Sequence, residues 1–162
     1  MMVENGICLM MPNPSDLPLY QNKLIPHGLV TFTHEKNGFR IEGTWKHMMP
    51  GLHGFHIHQS GDMTDGCNSL CSHYNPTKDV HGGLTSKRRH MGDLGNIEVN
   101  EEGEAKFEWF ETRMTLEELF GRSLIVHQDP DDLGKGTFED SQTTGHSGKR
   151  ILWGIIARKK NC

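Results

Sequence analysis

The sequence predicts an all-β fold, an antiparallel sandwich or barrel of seven or eight short strands, and three observations carry that reading. Apolar residues alternate with polar ones at the strand period of two along most of the chain. Helical patterning is confined to Thr115–Phe120 (TLEELF), and glycine-rich turns, drawn from 19 glycines, punctuate the rest. Strands without intervening helices have to bury one face against a second sheet or against their own closure. The 162 residues amount to a single domain, 1–162, with no repeat, low-complexity tract or composition break dividing them. The hydrophobic fraction of 34% reaches about 45% once glycine is counted, an ordinary globular level.

The elements follow in order. Gly28–Thr33 alternates as a strand, and Phe39, Ile41, Gly43 and Trp45 share one face of the next. Gly51–Gln59, Asn96–Asn100, Glu104–Glu111 and Ser123–Gln128 continue the pattern. NEEG at 100–103 supplies a short hairpin turn, with Gly103 suited to a left-handed conformation. Thr115–Phe120 is a short helix or turn, and Arg150–Arg158 is the last strand. Two connections, Ser60–Gly92 and Asp129–Lys149, run to 33 and 21 residues. A structureless connection in a compact domain seldom exceeds about 15. Both carry histidine, glycine and aspartate rather than the Ser, Gln and Glu of a disordered linker, so something besides a hydrophobic core orders them.

Composition excludes several function classes. The 17 basic and 21 acidic residues give a formal net charge of −4, and no run of five like charges occurs. Neither a nucleic-acid partner nor a polybasic membrane surface is expected. The longest apolar stretches, ICLMMP and ILWGIIA, fall far short of the ~18 residues of a membrane span. MMVENGIC carries an acid where a signal peptide has a basic segment, so the expected location is the cytoplasm. Cys8, Cys67, Cys71 and Cys162 are too few for a disulfide scaffold and form no CxxC motif.

Eleven histidines against two tyrosines is the unusual count. His56 and His58 lie two apart on a strand, so both side chains leave the same face and can reach one ion. Alone, such a pair is more often simply hydrogen-bonded or solvated. The long connection that follows adds His73, His81, His90 and Asp93, and His127 ends another strand. Neutral imidazole suits copper and zinc, and three histidines with one aspartate suit tetrahedral zinc, so there are ligands for two sites. His27, His34, His47 and His146 are expected to be solvated. His53, at odd spacing from His56, faces the other way and is expected to hydrogen-bond structurally.

GLHGFHIHQSGDMTDGC (51–67), HYNP (73–76), HGG (81–83), RHMGDLGNI (89–97), GRSLIVHQDPDDLGKG (121–136) and TGHSGKR (144–150) together resemble the copper,zinc superoxide dismutases, in order and in spacing, over about Gly28–Ile156. The resemblance implies a Greek-key β-sandwich or flattened eight-stranded barrel, with a zinc- and disulfide-type loop at 60–92 and an electrostatic loop at 129–149. It implies one copper held by His56, His58, His73 and His127, and one zinc held by His73, His81, His90 and Asp93. His73 would bridge the two as an imidazolate, which two adjacent divalent charges make possible. Asp131 would link the ligands His56 and His81 from outside, where DPDDLGKG alone reads as a turn acid.

The implied reaction is dismutation of superoxide to dioxygen and hydrogen peroxide by alternate reduction and reoxidation of copper. His73 exchanges a proton, zinc is structural, and the role is antioxidant defence. Arg150 aligns with the substrate-guiding arginine, and Lys135, Glu139 and Asp140 with charges of the electrostatic loop, while Thr143 stands where a second lysine is usual. The implied partners are superoxide, a second copy of the chain through Phe120, Gly121 and Ile155, and a copper-delivery chaperone. A non-enzymatic copper- and zinc-binding module is the alternative, and would be expected to lack a ligand or the arginine. Two departures stand out. The cysteine that would pair with Cys67 is Trp153, leaving Cys8, Cys71 and Cys162 as candidates for a cross-link. Residues 12–26 add roughly ten positions, and the sequence assigns them no role.

Overall fold

Alternation along the chain produces nine strands in the structure, a computed structural model that describes residues 3–15 and 24–162. They are β1 (Gly6–Pro12), β2 (Gly28–Glu35), β3 (Gly38–Trp45), β4 (Gly51–His58), β5 (Asp93–Val99), β6 (Ala105–Glu111), β7 (Ser123–His127), β8 (Arg150–Ile155) and the two-residue β9 (Ala157–Arg158). All pairings are antiparallel, in the order β5-β4-β7-β8-β1-β2-β3-β6, with β9 on the outer part of β1. Because β3 pairs with β6 and β4 with β7, the chain crosses the barrel ends between sequence neighbours, as a Greek key requires. Part of the 12–26 insertion, 16–23, lies outside the described residues.

On β3, Phe39, Ile41, Gly43 and Trp45 all point inward, as their spacing predicts. The Trp45 ring packs edge-on against Phe55, 5.2 Å between centroids, and a Cβ at Gly43 would stand 2.3 Å from its six-membered ring. Glycine there is what lets the largest core side chain lie flat under the sheet.

Five expectations are corrected or narrowed. The NEEG turn forms, with Gly103 at φ 78° and Asn100 N–H donating to Glu104 O at 2.9 Å, but the strands it joins do not form a ladder with each other. β5 and β6 are the two ends of the sheet path, each already paired with β4 and β3. The last strand breaks at Ile156, whose backbone pairs with Arg122 and Gly121, so β9 leaves β8 and joins β1. Strand β5 starts at Asp93, earlier than its alternation indicates. His27 is buried: its backbone bonds Met10 and Lys46 across three strands, and its Nδ1 lies 3.2 Å from the carbonyls of Lys46 and His47. Thr115–Phe120 shortens to a 3₁₀ turn, Glu117–Leu119, capped by Glu118 on the Thr115 amide and hydroxyl.

The core is Met10, Phe32, Phe39, Ile41, Trp45, Phe55, Ile57, Leu94, Ile97, Leu124, Val126 and Leu152 with their neighbours. From His53 onward β4 is buried on both faces. Phe55 and Ile57 enter the core, and the alternate positions are covered from outside by the connections 59–92 and 128–149, which places the site on the barrel's outer wall.

Candidate metal centre

The period of two builds the first half of the site. His56 and His58 alternate with Phe55 and Ile57 on β4, and His127 follows core residue Val126 on β7, which lies beside β4. The 59–92 connection brings in the rest. A bridge pairs His58 with His73, and Tyr74 N–H donates to Ile57 O, Ile57 N–H to Gly92 O and Gly92 N–H to Tyr74 O, at 2.8, 2.8 and 2.9 Å. Arg89, 1% exposed, anchors its far end by donating to Glu111 Oε2 on β6 (2.9 Å) and to Asp93 O (2.6 Å).

His56, His58, His73 and His127 each offer one nitrogen, and these lie within 4.8 Å of one another. In each the opposite nitrogen is already engaged, His73 Nδ1 by Asp93 Oδ1 at 2.9 Å. His56 Nε2 meets Asp131 Oδ2 at 2.6 Å, His58 Nδ1 meets Cys71 O at 2.8 Å, and His127 Nδ1 meets Gly148 O at 3.0 Å. Left over are His56 Nδ1, His58 Nε2 and His127 Nε2, buried and without a hydrogen-bond partner among the described residues. Each orphaned group costs about 1–3 kcal/mol, which a bound cation offsets. The donor set fits copper.

Asp93 organises the second cluster. Its Oδ2 accepts from the Gly82 and His90 amides at 3.0 and 2.8 Å, which aims Oδ1 at three imidazoles. His73 Nδ1 lies 2.9 Å from Oδ1, His81 Nδ1 3.0 Å and His90 Nδ1 3.2 Å. Ligands about 2.0–2.1 Å from a tetrahedral zinc stand about 3.3 Å apart, so these atoms have the spacing of a zinc shell. His56 also comes close to this group, but its Nε2 is held by Asp131 and its free Nδ1 belongs to the first cluster.

Burial sets the protonation of the metal-free site. It holds His56 and His58 well below the usual histidine value, helped by neighbouring imidazoles, and pushes His127 down to about 4. Burial acts the same way on His81, but hydrogen bonds to Asp131 and Asp93 outweigh it and lift this ring to about 9. On Asp93 burial raises the pKa, yet the histidines around it hold it far below the carboxylate range. Between pH 6.5 and 4 the unfolded chain therefore takes up protons that folded His127, His56 and His58 refuse, while the His81 contribution is constant below 6.5. The metal-free protein is expected to lose stability as pH falls through that window, by about 3 kcal/mol from His127 alone. Urea midpoints against pH measure it.

Asp131 spans the clusters, with Oδ2 on His56 Nε2 and Oδ1 on His81 Nε2 at 2.6 and 2.7 Å. The sequence reading missed what holds it. Asn96 on β5 accepts from Asp131 N–H at 2.7 Å and donates to Asp131 O at 3.0 Å. Gly145, at φ 70°, closes over the carboxylate, and a Cβ there would lie 2.1 Å from Oδ1. Asp131→Ala is expected to weaken zinc binding ~10- to 100-fold in chelator competition.

A cleft of about 300 Å³ opens on the first cluster, lined by His58, His73, His127, Asp140, Thr144 and Arg150. Arg150 Nη1 donates to Cys67 O at 2.5 Å and Nη2 to Cys71 O at 2.6 Å. Asp140 at the rim is engaged by His146 Nδ1 at 2.6 Å, and Thr143 lies beside it. Lys135 is exposed outside the cleft lining. Lys149, exposed next to Arg150, is a cation the sequence reading left unassigned.

Of the other histidines, His53 lies between the His127 and Met49 carbonyls, 2.8 Å from each, and His34 pairs with Glu117 at 3.1 Å. The expected cross-link of Cys67 is absent: all four cysteines are free, and the Cys67 thiol accepts from Asn13 Nδ2 at 3.1 Å.

A flattened antiparallel barrel bearing two adjoining histidine clusters beside an arginine-lined cleft defines a two-metal protein that receives a small anion. The family model for copper/zinc superoxide dismutase matches residues 26–156. Over 137 residues the chain is 42% identical to a superoxide dismutase [Cu-Zn] of Paramecium bursaria Chlorella virus 1, covering 82% of this chain and 73% of that protein. It is 44% identical over 137 residues to an extracellular superoxide dismutase [Cu-Zn] of Brugia pahangi, with coverages of 81% and 69%. A crystal structure of the clock protein EA4 superposes with a TM-score of 0.83 at 31% identity, over 94% of this chain and 93% of that one. The chain belongs to the copper/zinc superoxide dismutase family. Its activity is dismutation of superoxide, with copper and zinc as the metals. Among the described residues no helix is long and apolar enough to cross a membrane.

Proposed function

We propose that the two clusters divide the metals, with His56 Nδ1, His58 Nε2, His127 Nε2 and His73 Nε2 taking copper, and His73 Nδ1, His81 Nδ1, His90 Nδ1 and Asp93 Oδ1 taking zinc. One observation carries this: in His56, His58 and His127 one ring nitrogen is tied down while the other, buried and unpartnered, faces the same small space. When bound, copper supplies a one-electron couple and zinc a fixed, redox-inert charge.

The chain's own residues do the rest. His73 is engaged through Nδ1 on the Asp93 side, so Nε2, whenever it is not holding copper, would be the atom that takes up a proton and hands it on as hydrogen peroxide forms. Asp131 fixes the His56 and His81 rings. Arg150 has three N–H groups left beyond its two carbonyl bonds and lines the cleft, where it holds the incoming monoanion. A homodimer through Phe120, Gly121 and Ile155, cytoplasmic residence and delivery of copper by a chaperone complete the reading. The four free thiols accord with a reducing compartment. The test is elemental analysis with copper electron paramagnetic resonance on the purified protein, alongside superoxide decay. One copper and one zinc per chain, and activity lost on chelation and restored by copper plus zinc, are the expected results.

A further inference from the structure

With Trp153 at the position of the usual partner cysteine, the turn 67–71 has no covalent tie to β8, yet its carbonyls at Cys67 and Cys71 carry the Arg150 guanidinium. Asn13, just past β1, meets both sides of that junction. Its backbone N–H donates to Ile151 O at 2.9 Å, extending the β1–β8 pairing of Met11 with Trp153 and Pro12 with Leu152 by one residue. Its Nδ2 donates to Cys67 Sγ at 3.1 Å and to Arg150 O at 3.3 Å, using both amide hydrogens, while Oδ1 accepts from Ser15 N–H at 3.4 Å.

We propose that Asn13 is a positioning residue for Arg150, a hydrogen-bonded clip that ties the Cys67 side chain to the Arg150 backbone and so keeps the guanidinium fixed at the mouth of the copper cleft. This rests on the reading of Arg150 as the anion-holding group. The contacts close a ring: Asn13 holds Cys67 and the Arg150 carbonyl, and the Arg150 side chain returns to the Cys67 carbonyl. The Cys71 end of the turn is also held to β4 and the residues just past it, through His58 Nδ1 on Cys71 O and Ser60 N–H on Leu70 O, but among the described residues the hydrogen bonds that tie the Cys67 end to β8 come from Asn13 and the guanidinium itself. A long side chain with about 2 kcal/mol of rotamer entropy is held less firmly when one of its two anchors, the Cys67 carbonyl, can move with it. The acceptor is a sulfur, a weak partner, so the clip can be loosened by one substitution while the barrel stays intact.

The experiment is azide titration of the copper- and zinc-loaded protein, followed by copper absorption, azide serving as a small monoanion probe. Asn13→Ala is expected to weaken azide binding about fivefold, the scale of one or two lost hydrogen bonds, with copper and zinc content unchanged. Cys67→Ser, which keeps an acceptor, should bind azide like the parent, and Cys67→Ala should match Asn13→Ala. In an Arg150→Ala background, Asn13→Ala should cause no further loss. Unchanged azide affinity in Asn13→Ala, or an equal loss in the Arg150→Ala background, overturns the inference. Should Arg150→Ala by itself leave azide affinity intact, the anion-holding role of the arginine fails first. A loss there without one in Asn13→Ala removes only the clip.

Discussion

Replacing His73 by alanine is expected to abolish superoxide dismutation while each metal still binds, more weakly, at its own cluster. Removing this ring leaves His56 Nδ1, His58 Nε2 and His127 Nε2 together on one side, and His81, His90 and Asp93 on the other. What disappears is the imidazole proposed to serve both metals, and with it the proposed proton carrier between them. General acid–base groups are worth ~10²- to 10⁴-fold in rate, and loss of the shared ligand adds to that. Pulse-radiolysis decay of superoxide, read with copper and zinc stoichiometry on the same sample, checks both halves. Full activity in the variant would sink the bridging assignment.

The second large effect is expected at Arg150. The chain is net −4 and its substrate is an anion, so fast capture needs a local positive field that the global charge opposes. Arg150→Glu should lower the rate about 10- to 100-fold at low salt. Arg150→Ala, which removes the charge without reversing it, should fall between that variant and the parent. Copper content is measured alongside, because Cys71 O accepts from both Arg150 and His58. The parent rate should decline as salt rises from 0.01 to 0.1 M, where the Debye length shrinks from about 30 to about 10 Å. Thr143→Lys, beside the rim acid Asp140, should raise the rate at low salt.

What was legible in the sequence was whatever depends on short spacing. The parity of His56 and His58 against Phe55 and Ile57 follows from the strand period alone, as does the inward face of β3. The crowd of ligands in the 59–92 connection was legible as composition out of place in a loop. Asp131 and Arg150 became readable only through the resemblance, because their partners lie 50 to 83 residues away and nothing local marks the pairing. Asn96 and Asn13 escaped even that, since each acts through a register between strands and loops that a linear pattern does not encode. His27 was misjudged for a related reason: position next to a proline and a glycine suggests a solvated loop, but three strands meet there. That β5 and β6 do not pair with each other shows the same limit, because a good turn is local and closure of the barrel is not.

The two clusters stand on different supports, and that difference has a temporal meaning. His56, His58 and His127 project from β4 and β7, strands locked into a continuous ladder, so the barrel sets their positions and the connections only turn their rings, through Asp131, Cys71 O and Gly148 O. His73, His81 and His90 lie on a long connection that is tied to β4 at His58–His73 and Ile57–Tyr74 and to the second connection at His81–Gln142, and only Asp93 of their cluster sits on a strand. Assembly is therefore expected to run in order, with the strand-borne half-site forming with the barrel and the loop-borne half gaining further order from its ion. Zinc binding is expected to order the connection around His81 and His90, which amide hydrogen exchange with and without zinc measures.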